Sequence, residues 1–133
     1  MANIYASCDN VAKQLLWDKL FVSLGVQERK NFCVCGDFNV VRCMEERKSV
    51  GTVVHYEDID PFARFIEENF LFGLPLGGRA YTWYRGDGRS VSRLDIFLLY
   101  EAWCLTWTKC YQMAQIIGLS DHCPIVFSID EKN

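Results

Sequence analysis

The sequence predicts a layered α/β domain in which short strands and amphipathic helices share one core. Half of the 133 residues are apolar, which suits a chain with a real core and excludes a disordered one. Residues 3–41 follow strand, helix and strand patterns, and a second helix and aromatic strands around a tight turn come later. These observations indicate a single domain over residues 1–133, without internal repeats or linkers.

The N-terminal part of the chain predicts a βαβ-like unit. The alternating stretch Asn3-Ile4-Tyr5-Ala6 is typical of a short strand, and Ser7 or Asp9 can cap a helix over residues 11–24. Apolar residues with the helical period predict one buried face, made of Val11, Leu15, Leu16, Leu20, Phe21 and Leu24. A second apolar strand over residues 32–35 completes the unit.

The remainder predicts a loop, a helix and several strands. Residues 42–54 are polar and indicate a loop, and residues 74–78 indicate a turn-rich connection. Asp60-Pro61, an N-cap followed by proline, starts a helix with an apolar stripe of Phe62, Phe65, Ile66 and Phe70. The other predicted elements are a β-hairpin of residues 81–84 and 90–99 around a turn at 85–89, a short helix at 101–107, and strands at 110–116 and 124–129.

Composition limits the class of protein. The net charge of −3 argues against extended nucleic-acid binding without sequence preference, and seven scattered cysteines suit reduced core thiols better than a disulfide framework. No apolar run reaches the roughly 18 residues of a membrane span. The N-terminal segment MANIYASCDN lacks the basic and apolar regions of a signal peptide. The sequence predicts an intracellular protein that is not secreted and has no membrane partner.

Polar side chains gather where apolar strands end. Asp37 and Asn39 follow the strand at residues 32–35, and Asp95 and the pair Asp121-His122 stand at comparable places. Ligand sites in layered α/β proteins collect at strand ends, so we expect these side chains to converge. Carboxylates, a carboxamide and a histidine suit metal-assisted phosphodiester hydrolysis. The simpler alternatives are an Asx turn at Asp37 and a structural role for His122.

Arginines cluster around the predicted hairpin, at Arg79, Arg85, Arg89 and Arg93. Such a cluster is usually solvated surface. Its position beside the candidate polar site favours contact with phosphates here.

Four motifs in this order resemble the endonuclease/exonuclease/phosphatase superfamily: Gly36-Asp37-Phe38-Asn39, Tyr81-Thr82-Trp83, Ser92-Arg93-Leu94-Asp95 and Ser120-Asp121-His122-Cys123-Pro124. More narrowly, the chain resembles the apurinic-endonuclease-like domain of plant LINE-type retrotransposons. The resemblance implies a partial four-layer α/β sandwich of the DNase I-like type, mainly the second half of that fold.

The resemblance also implies roles for individual residues. Catalytic roles fall on Tyr5, Asp37, Asn39, Asp95 and His122. Tyr5 would contact the scissile phosphate, Asp37 would activate the attacking water, and Asn39 would steady the transition state. Asp95 would orient His122, which binds a phosphate oxygen. Substrate-binding roles fall on Thr82, Arg93 and Ser120, and Asp121 would help to place Mg²⁺ or Mn²⁺.

The chain departs from the pattern of this family in one respect. Members have a preceding half that brings an asparagine and the glutamate that is the chief Mg²⁺ ligand, whereas this sequence starts at the Tyr5 segment. We therefore expect a truncated domain whose activity is in question. Expressed alone, it should be marginally stable, self-associate, or need the missing N-terminal half as a partner, because half a layered fold leaves apolar surface uncovered.

Three functions follow as hypotheses. The first is a retroelement-derived, Mg²⁺-dependent endonuclease-like domain that nicks DNA by water attack, with DNA as partner and the nucleus as place of action. The second is a non-catalytic remnant or nucleic-acid-binding module that uses the arginine hairpin. The third is a phosphatase or phosphodiesterase acting on a small or lipid substrate.

Overall fold

The computed structural model describes residues 2–26, 33–50, 59–107, 109–116 and 118–130. Its elements in chain order are β1 (Ala2–Tyr5), α1 (Asn10–Val26), β2 (Cys33–Asp37), a single 3-10 turn (Met44–Glu46), β3 (Arg47–Ser49), α2 (Ile59–Glu68), β4 (Leu71–Gly73), β5 (Leu76–Gly77), β6 (Trp83–Tyr84), β7 (Ser90–Ser92), β8 (Asp95–Tyr100), α3 (Glu101–Thr106), β9 (Cys110–Ala114) and β10 (Ile125–Ile129).

The described strands form three sheets. The central sheet has the strand order β1-β2-β8-β4, with β1 parallel to β2 and the other neighbours antiparallel. Because β1 and β2 are parallel and joined through α1, the predicted βαβ-like unit is confirmed. The strands β10, β9 and β5 form a second sheet, and β3, β7 and β6 form a third.

Helices α1 and α2 cover one face of the central sheet. Trp17 of α1 lies at the centre of this layer, with its ring centroid 5.0 Å from that of Phe62, 5.1 Å from that of Phe65 and 6.0 Å from that of Phe38. All four side chains are buried. Stacked aromatic rings of this size remove a large apolar area from water, so this cluster is the main source of stability on this side of the sheet.

The opposite face of the central sheet packs against the sheet that contains β10. Alternation along β2 points Cys33 and Cys35 to this side and Val34 to the helices. The ring of Phe97 lies 5.4 Å from that of Phe127 on β10, which joins the two sheets. Helices on one face and a sheet on the other give a layered α/β architecture, as the sequence predicts. None of the described helices is both long and apolar enough to cross a membrane.

The prediction of which residues of α1 are buried was partly wrong. Val11, Leu15 and Phe21 are 70%, 58% and 47% exposed. The buried face instead carries Lys13, Trp17, Leu20 and Leu24, of which Leu20 is only partly buried. This helix has apolar residues on more than one side, so its period alone did not fix the face, and the large Trp17 ring sets the orientation. The cap is confirmed for Asp9, whose Oδ2 accepts the N–H of Ala12 at 2.8 Å.

Helix α2 and the residues that follow it also differ in detail from the sequence-based prediction. Helix α2 begins at Ile59, so Asp60 lies in its first turn rather than at the N-cap. Phe70, predicted in the apolar stripe, lies beyond the helix with φ 55° and is 64% exposed. The turn-rich connection at residues 74–78 contains β5, which pairs with β9.

The predicted hairpin is present but shorter. Strands β6 and β7 pair around the turn, yet the strand expected over residues 90–99 breaks after Ser92. It resumes at Asp95 as β8 in the central sheet, so two sheets share this segment. The loop expected at residues 42–54 contains β3, which pairs with β7, and residues 51–54 lie outside the described residues.

Candidate active site

The register of the central sheet brings three predicted site residues into one row. Tyr5 at the end of β1 pairs with Asp37 of β2, and Asp37 pairs with Asp95 of β8. The two carboxylates are therefore cross-strand neighbours at the edge where β1 and β2 end. Their side chains are mostly buried, at 13% exposure for Asp37 and 16% for Asp95, whereas Tyr5 is 82% exposed.

Gly36 allows β2 to lie close enough to β1 to place Asp37 at this edge. Its φ is +134°, and a Cβ at this position would lie 2.0 Å from the carbonyl oxygen of Ile4 on β1. Only glycine fits such a close approach of two strands. We therefore infer that β1 and β2 can bring Tyr5 and Asp37 side by side only with glycine at position 36.

An Asx turn holds the residues that follow. The Asn39 N–H donates to Asp37 Oδ1 at 2.9 Å, and the Asn39 side-chain amide donates to the carbonyl of Ala6. Asn39 has φ +51°, a conformation that asparagine tolerates better than most residues. The Asx turn that the sequence offered as a simple alternative is thus present, and it orients the Asp37 carboxylate.

His122 meets both carboxylates. Its loop is tied to β6, because Cys123 N donates to the Thr82 carbonyl at 2.6 Å and Trp83 forms a bridge with His122. The His122 Nδ1 lies 2.8 Å from Asp95 Oδ2, and its Nε2 lies 3.7 Å from Asp37 Oδ2. The structure therefore brings Asp37, Asp95 and His122 together, as the strand-end argument predicts.

The electrostatics follow from this contact. Burial raises the pKa of Asp37, opposed by the N–H of Asn39, and the nearby Asp95 raises it further. For His122, burial works against the charged form, but the hydrogen bond to Asp95 and the charges of the surrounding aspartates outweigh it and raise the pKa. The Asp37 carboxylate is thus made more basic, and the His122 imidazole is held toward its cationic form.

We expect His122 to titrate above pH 6.5 in metal-free protein, and Asp95→Asn to lower its pKa because the anionic acceptor at Nδ1 is lost. The raised pKa means that protonated His122 stabilises the fold at low pH, and that this contribution disappears as the pH rises through the folded-state value. Histidine NMR titration in EDTA, with His122→Gln for assignment, measures both values. An unchanged pKa in Asp95→Asn contradicts the assigned hydrogen bond.

A cleft of about 760 Å³ opens at this edge of the sheet. Among the predicted residues, it is lined by Tyr5, Asp37, Asn39, Asp95, Asp121 and His122. The cleft is also lined by residues that were not assigned to the site from the sequence, among them Lys13, Arg47 and Trp83. Trp83 lies within a motif and could have been recognised, whereas Lys13 and Arg47 carry no local signal of this kind.

Thr82, Arg93 and Ser120, which the resemblance assigned to substrate binding, do not line the cleft. Thr82 is fully buried, and its Oγ1 accepts the N–H groups of Leu94 and Asp95 at 3.0 and 3.1 Å. It therefore fixes the start of β8 and with it Asp95. Ser120 Oγ accepts the N–H of His122 at 3.1 Å and shapes the histidine loop.

Arg93 points into the protein rather than toward substrate. Its side chain is 9% exposed, donates to the Leu74 carbonyl at 2.6 Å and lies 3.6 Å from Glu46. Two other members of the predicted arginine cluster are also engaged. Arg85 pairs with Asp87 at 3.2 Å, and Arg79 lies 5.9 Å from the ring centroid of Tyr84. None of the four arginines lines the cleft, so the hairpin cluster does not form its basic surface.

Several side chains of the site carry atoms that could be ligands of a divalent cation. Donor atoms of Asp37, Asp95 and His122 lie within 4.8 Å of one another, the one such group among the described residues. Magnesium commonly uses one or two carboxylates and completes its coordination with water and substrate phosphate, so the Asp37 and Asp95 carboxylates of this set fit, whereas the His122 imidazole is not an oxygen ligand. Asp121, predicted to place the metal, is outside the group, since its Oδ2 accepts the indole N–H of Trp83 at 3.0 Å.

The sequence matches no known protein family and no curated protein. The structure, in contrast, is similar to the endonuclease domain of TRAS1, a telomere-specific non-LTR retrotransposon, with a TM-score of 0.66 and 20% sequence identity. The match covers 90% of this chain and 52% of that domain, so the chain spans about half the length of the structure it matches. The chain therefore has the α/β fold of a DNase I-like endonuclease, which confirms the fold expected from the four motifs.

Proposed function

We propose, from the fold shared with a retrotransposon endonuclease domain, that the cleft hydrolyses phosphodiester bonds of DNA. The observation that carries the proposal is the convergence of Asp37, Asp95 and His122, with His122 hydrogen-bonded to one carboxylate and facing the other. A basic carboxylate beside a cationic imidazole supplies both a proton acceptor and a stabiliser of negative charge. Phosphoester hydrolysis by water needs this pair.

In the proposed reaction Asp37 is the general base. Its raised pKa makes it a better proton acceptor than an ordinary surface aspartate, and Asn39 fixes one of its oxygens by a backbone hydrogen bond. The second oxygen accepts a proton from the attacking water. The new P–O bond forms as the bond to the leaving oxygen breaks, and the departing alkoxide takes a proton from solvent water. The negative charge that develops on the phosphate oxygens in this step needs stabilisation.

His122 supplies that stabilisation from the other side. Asp95 holds its Nδ1, so the ring is fixed in orientation and Nε2 is left to donate a hydrogen bond to a phosphate oxygen. Tyr5, exposed at the end of β1, offers a phenol to the same phosphate, and the Asn39 amide has a second N–H for it. These contacts strengthen as charge develops, so they lower the barrier rather than only binding substrate.

A divalent cation, Mg²⁺ or Mn²⁺, would be held at this site by the carboxylates of Asp37 and Asp95 together with substrate oxygens, while His122 keeps its protons for the phosphate. When bound, it would neutralise negative charge on the phosphate. Because the proposed reaction requires this cation, removing it with EDTA tests the proposal.

Relaxation of supercoiled plasmid is the first experiment for this proposal. The purified chain should convert supercoiled DNA to open circles with Mg²⁺, and EDTA should stop the reaction. The non-catalytic alternative, a nucleic-acid-binding module, predicts that the plasmid is retarded on a gel but stays supercoiled. A folded protein that neither nicks nor retards the plasmid overturns the proposal.

Arg47 is the residue that we expect to anchor the DNA backbone. It is exposed on β3, lines the cleft and makes no ion pair within the part of the chain that the structure describes. Arg47→Gln should weaken duplex binding several-fold and reduce the slope of log K against log [salt] by about 0.9, the value for one lost phosphate contact. Arg85→Gln, on the hairpin and paired with Asp87, is the matched control and should change neither quantity. Equal effects of both substitutions would contradict this assignment.

A further inference from the structure

Helix α1 places a lysine on its buried face. Lys13 is 4% exposed, on the same side of the helix as Trp17 and Leu24. Burying an ammonium group costs several kcal/mol unless it is hydrogen-bonded, and an apolar residue of similar length would fill the space at no such cost. An ammonium group buried at this position needs hydrogen-bond acceptors, so its contacts indicate what it does.

The contacts of Lys13 point to the Asx turn. Its Nζ donates to the carbonyl oxygen of Asn39 at 2.9 Å, and the side chain lines the cleft. Asn39 is then held at three atoms, its N–H by Asp37, its amide by the Ala6 carbonyl and its carbonyl by Lys13. The turn adopts a positive φ at Asn39, a conformation that needs such support.

The helix itself is well anchored at this end. Asp9 Oδ2 caps the N–H of Ala12, and the N–H of Lys13 donates to the Asp9 carbonyl at 3.0 Å. Lys13 is thus attached to a rigid first turn, which in turn packs through Trp17 on the aromatic cluster of the core. This gives a continuous connection from the core to the Asp37 carboxylate.

We propose that Lys13 is a positioning residue for the hydrolysis assigned above, and that it acts through the Asn39 carbonyl to hold the turn that orients Asp37. This inference rests on the proposed function for its catalytic meaning. A displacement of about 1 Å of a catalytic group can cost about 10²-fold in rate, so loss of this hydrogen bond lowers kcat while leaving substrate binding almost unchanged. Lys13 holds the reacting group and does not touch the substrate.

The substitution Lys13→Met tests the proposal because methionine keeps the length and apolar stem and removes the donor. We expect kcat for plasmid nicking to fall about 10- to 100-fold with KM within about twofold. We also expect the melting temperature to change by no more than about 5 °C, because loss of the donor to the Asn39 carbonyl and removal of a buried ammonium group oppose each other. Lys13→Arg, which keeps a cationic donor, should restore part of kcat. Lys19→Met, at an exposed position of the same helix, is the control and should behave as the wild type.

Two further outcomes would bear on the positioning role of Lys13. If Lys13→Met lowers stability and kcat together, and Lys13→Arg does not restore the rate, the lysine has a structural role only and the proposal is overturned. If the wild type does not nick DNA, the proposed function fails, and amide hydrogen exchange of Asn39 becomes the readout of positioning. Exchange at Asn39 should then be at least tenfold faster in Lys13→Met than in the wild type, and an unchanged rate overturns the role of Lys13.

Discussion

Replacing Asp37 with asparagine should lower the rate of plasmid nicking by about 10²- to 10³-fold, the loss typical of removing a proton acceptor or one electrostatic stabiliser from an active site. Asparagine keeps the size of the side chain and an oxygen for the N–H of Asn39, so the turn is preserved. It removes the negative charge and the proton acceptor. Initial rates of open-circle formation under identical Mg²⁺ concentrations measure the effect.

The matched control for this experiment is Asp87→Asn. Asp87 lies in the hairpin turn, pairs with Arg85 and does not line the cleft, so its substitution should leave the rate within about twofold. Equal rates for Asp37→Asn and the wild type would mean that another group removes the proton, or that the nicking comes from a contaminant.

Replacing Trp17 with alanine should destabilise the fold by about 3–5 kcal/mol, the range for large aromatic residues truncated in a core. The ring is 3% exposed and contacts three other aromatic rings, so its removal leaves a cavity that α1 and α2 cannot easily close. In a domain of this size such a loss lowers the melting temperature by about 10 °C or more. Thermal unfolding followed by circular dichroism measures the change.

Leu15→Ala on the same helix is the comparison for this prediction. Leu15 is 58% exposed although the sequence pattern assigned it to the buried face. Its truncation should change the melting temperature by no more than about 2–3 °C. If Leu15→Ala is as damaging as Trp17→Ala, then the face of α1 that carries Leu15 is covered in solution.

The polar residues that meet at the centre of the cleft could be identified from the sequence, because they stand at the ends of apolar strands. Asp37 ends β2 and Asp95 begins β8, and the pairing of these strands brings both carboxylates to one edge. His122 lies on the loop before β10 and reaches the same edge because that loop is tied to β6. The sequence could predict this because alternation and turn residues fix where a strand stops. The hydrogen bond between Asp95 and His122 was expected only from the resemblance to known endonucleases, and the structure contains it.

The surroundings of other residues could not be predicted from the sequence, because they depend on tertiary structure. Arg93 lies where the chain changes sheets between β7 and β8, and its side chain is buried there. Thr82, just before β6, is buried against the same crossover, where its Oγ1 accepts the N–H groups of Leu94 and Asp95. Lys13 was missed because the orientation of a helix with apolar residues on several sides is decided by packing of Trp17. Arg47 was missed because a short polar strand has the composition of a loop.

The measurement that tests the central claim most directly is cleavage of plasmid DNA in water enriched in ¹⁸O. Attack by water at phosphorus predicts one ¹⁸O atom in the terminal phosphate of each nick made by the wild type with Mg²⁺. In EDTA, and in Asp37→Asn over the same time, few labelled nicks should form because the rate is low. Relaxation of the plasmid without incorporation of the label would contradict hydrolysis in this cleft, since it would mean that the strand is opened and rejoined through a protein group such as the exposed Tyr5.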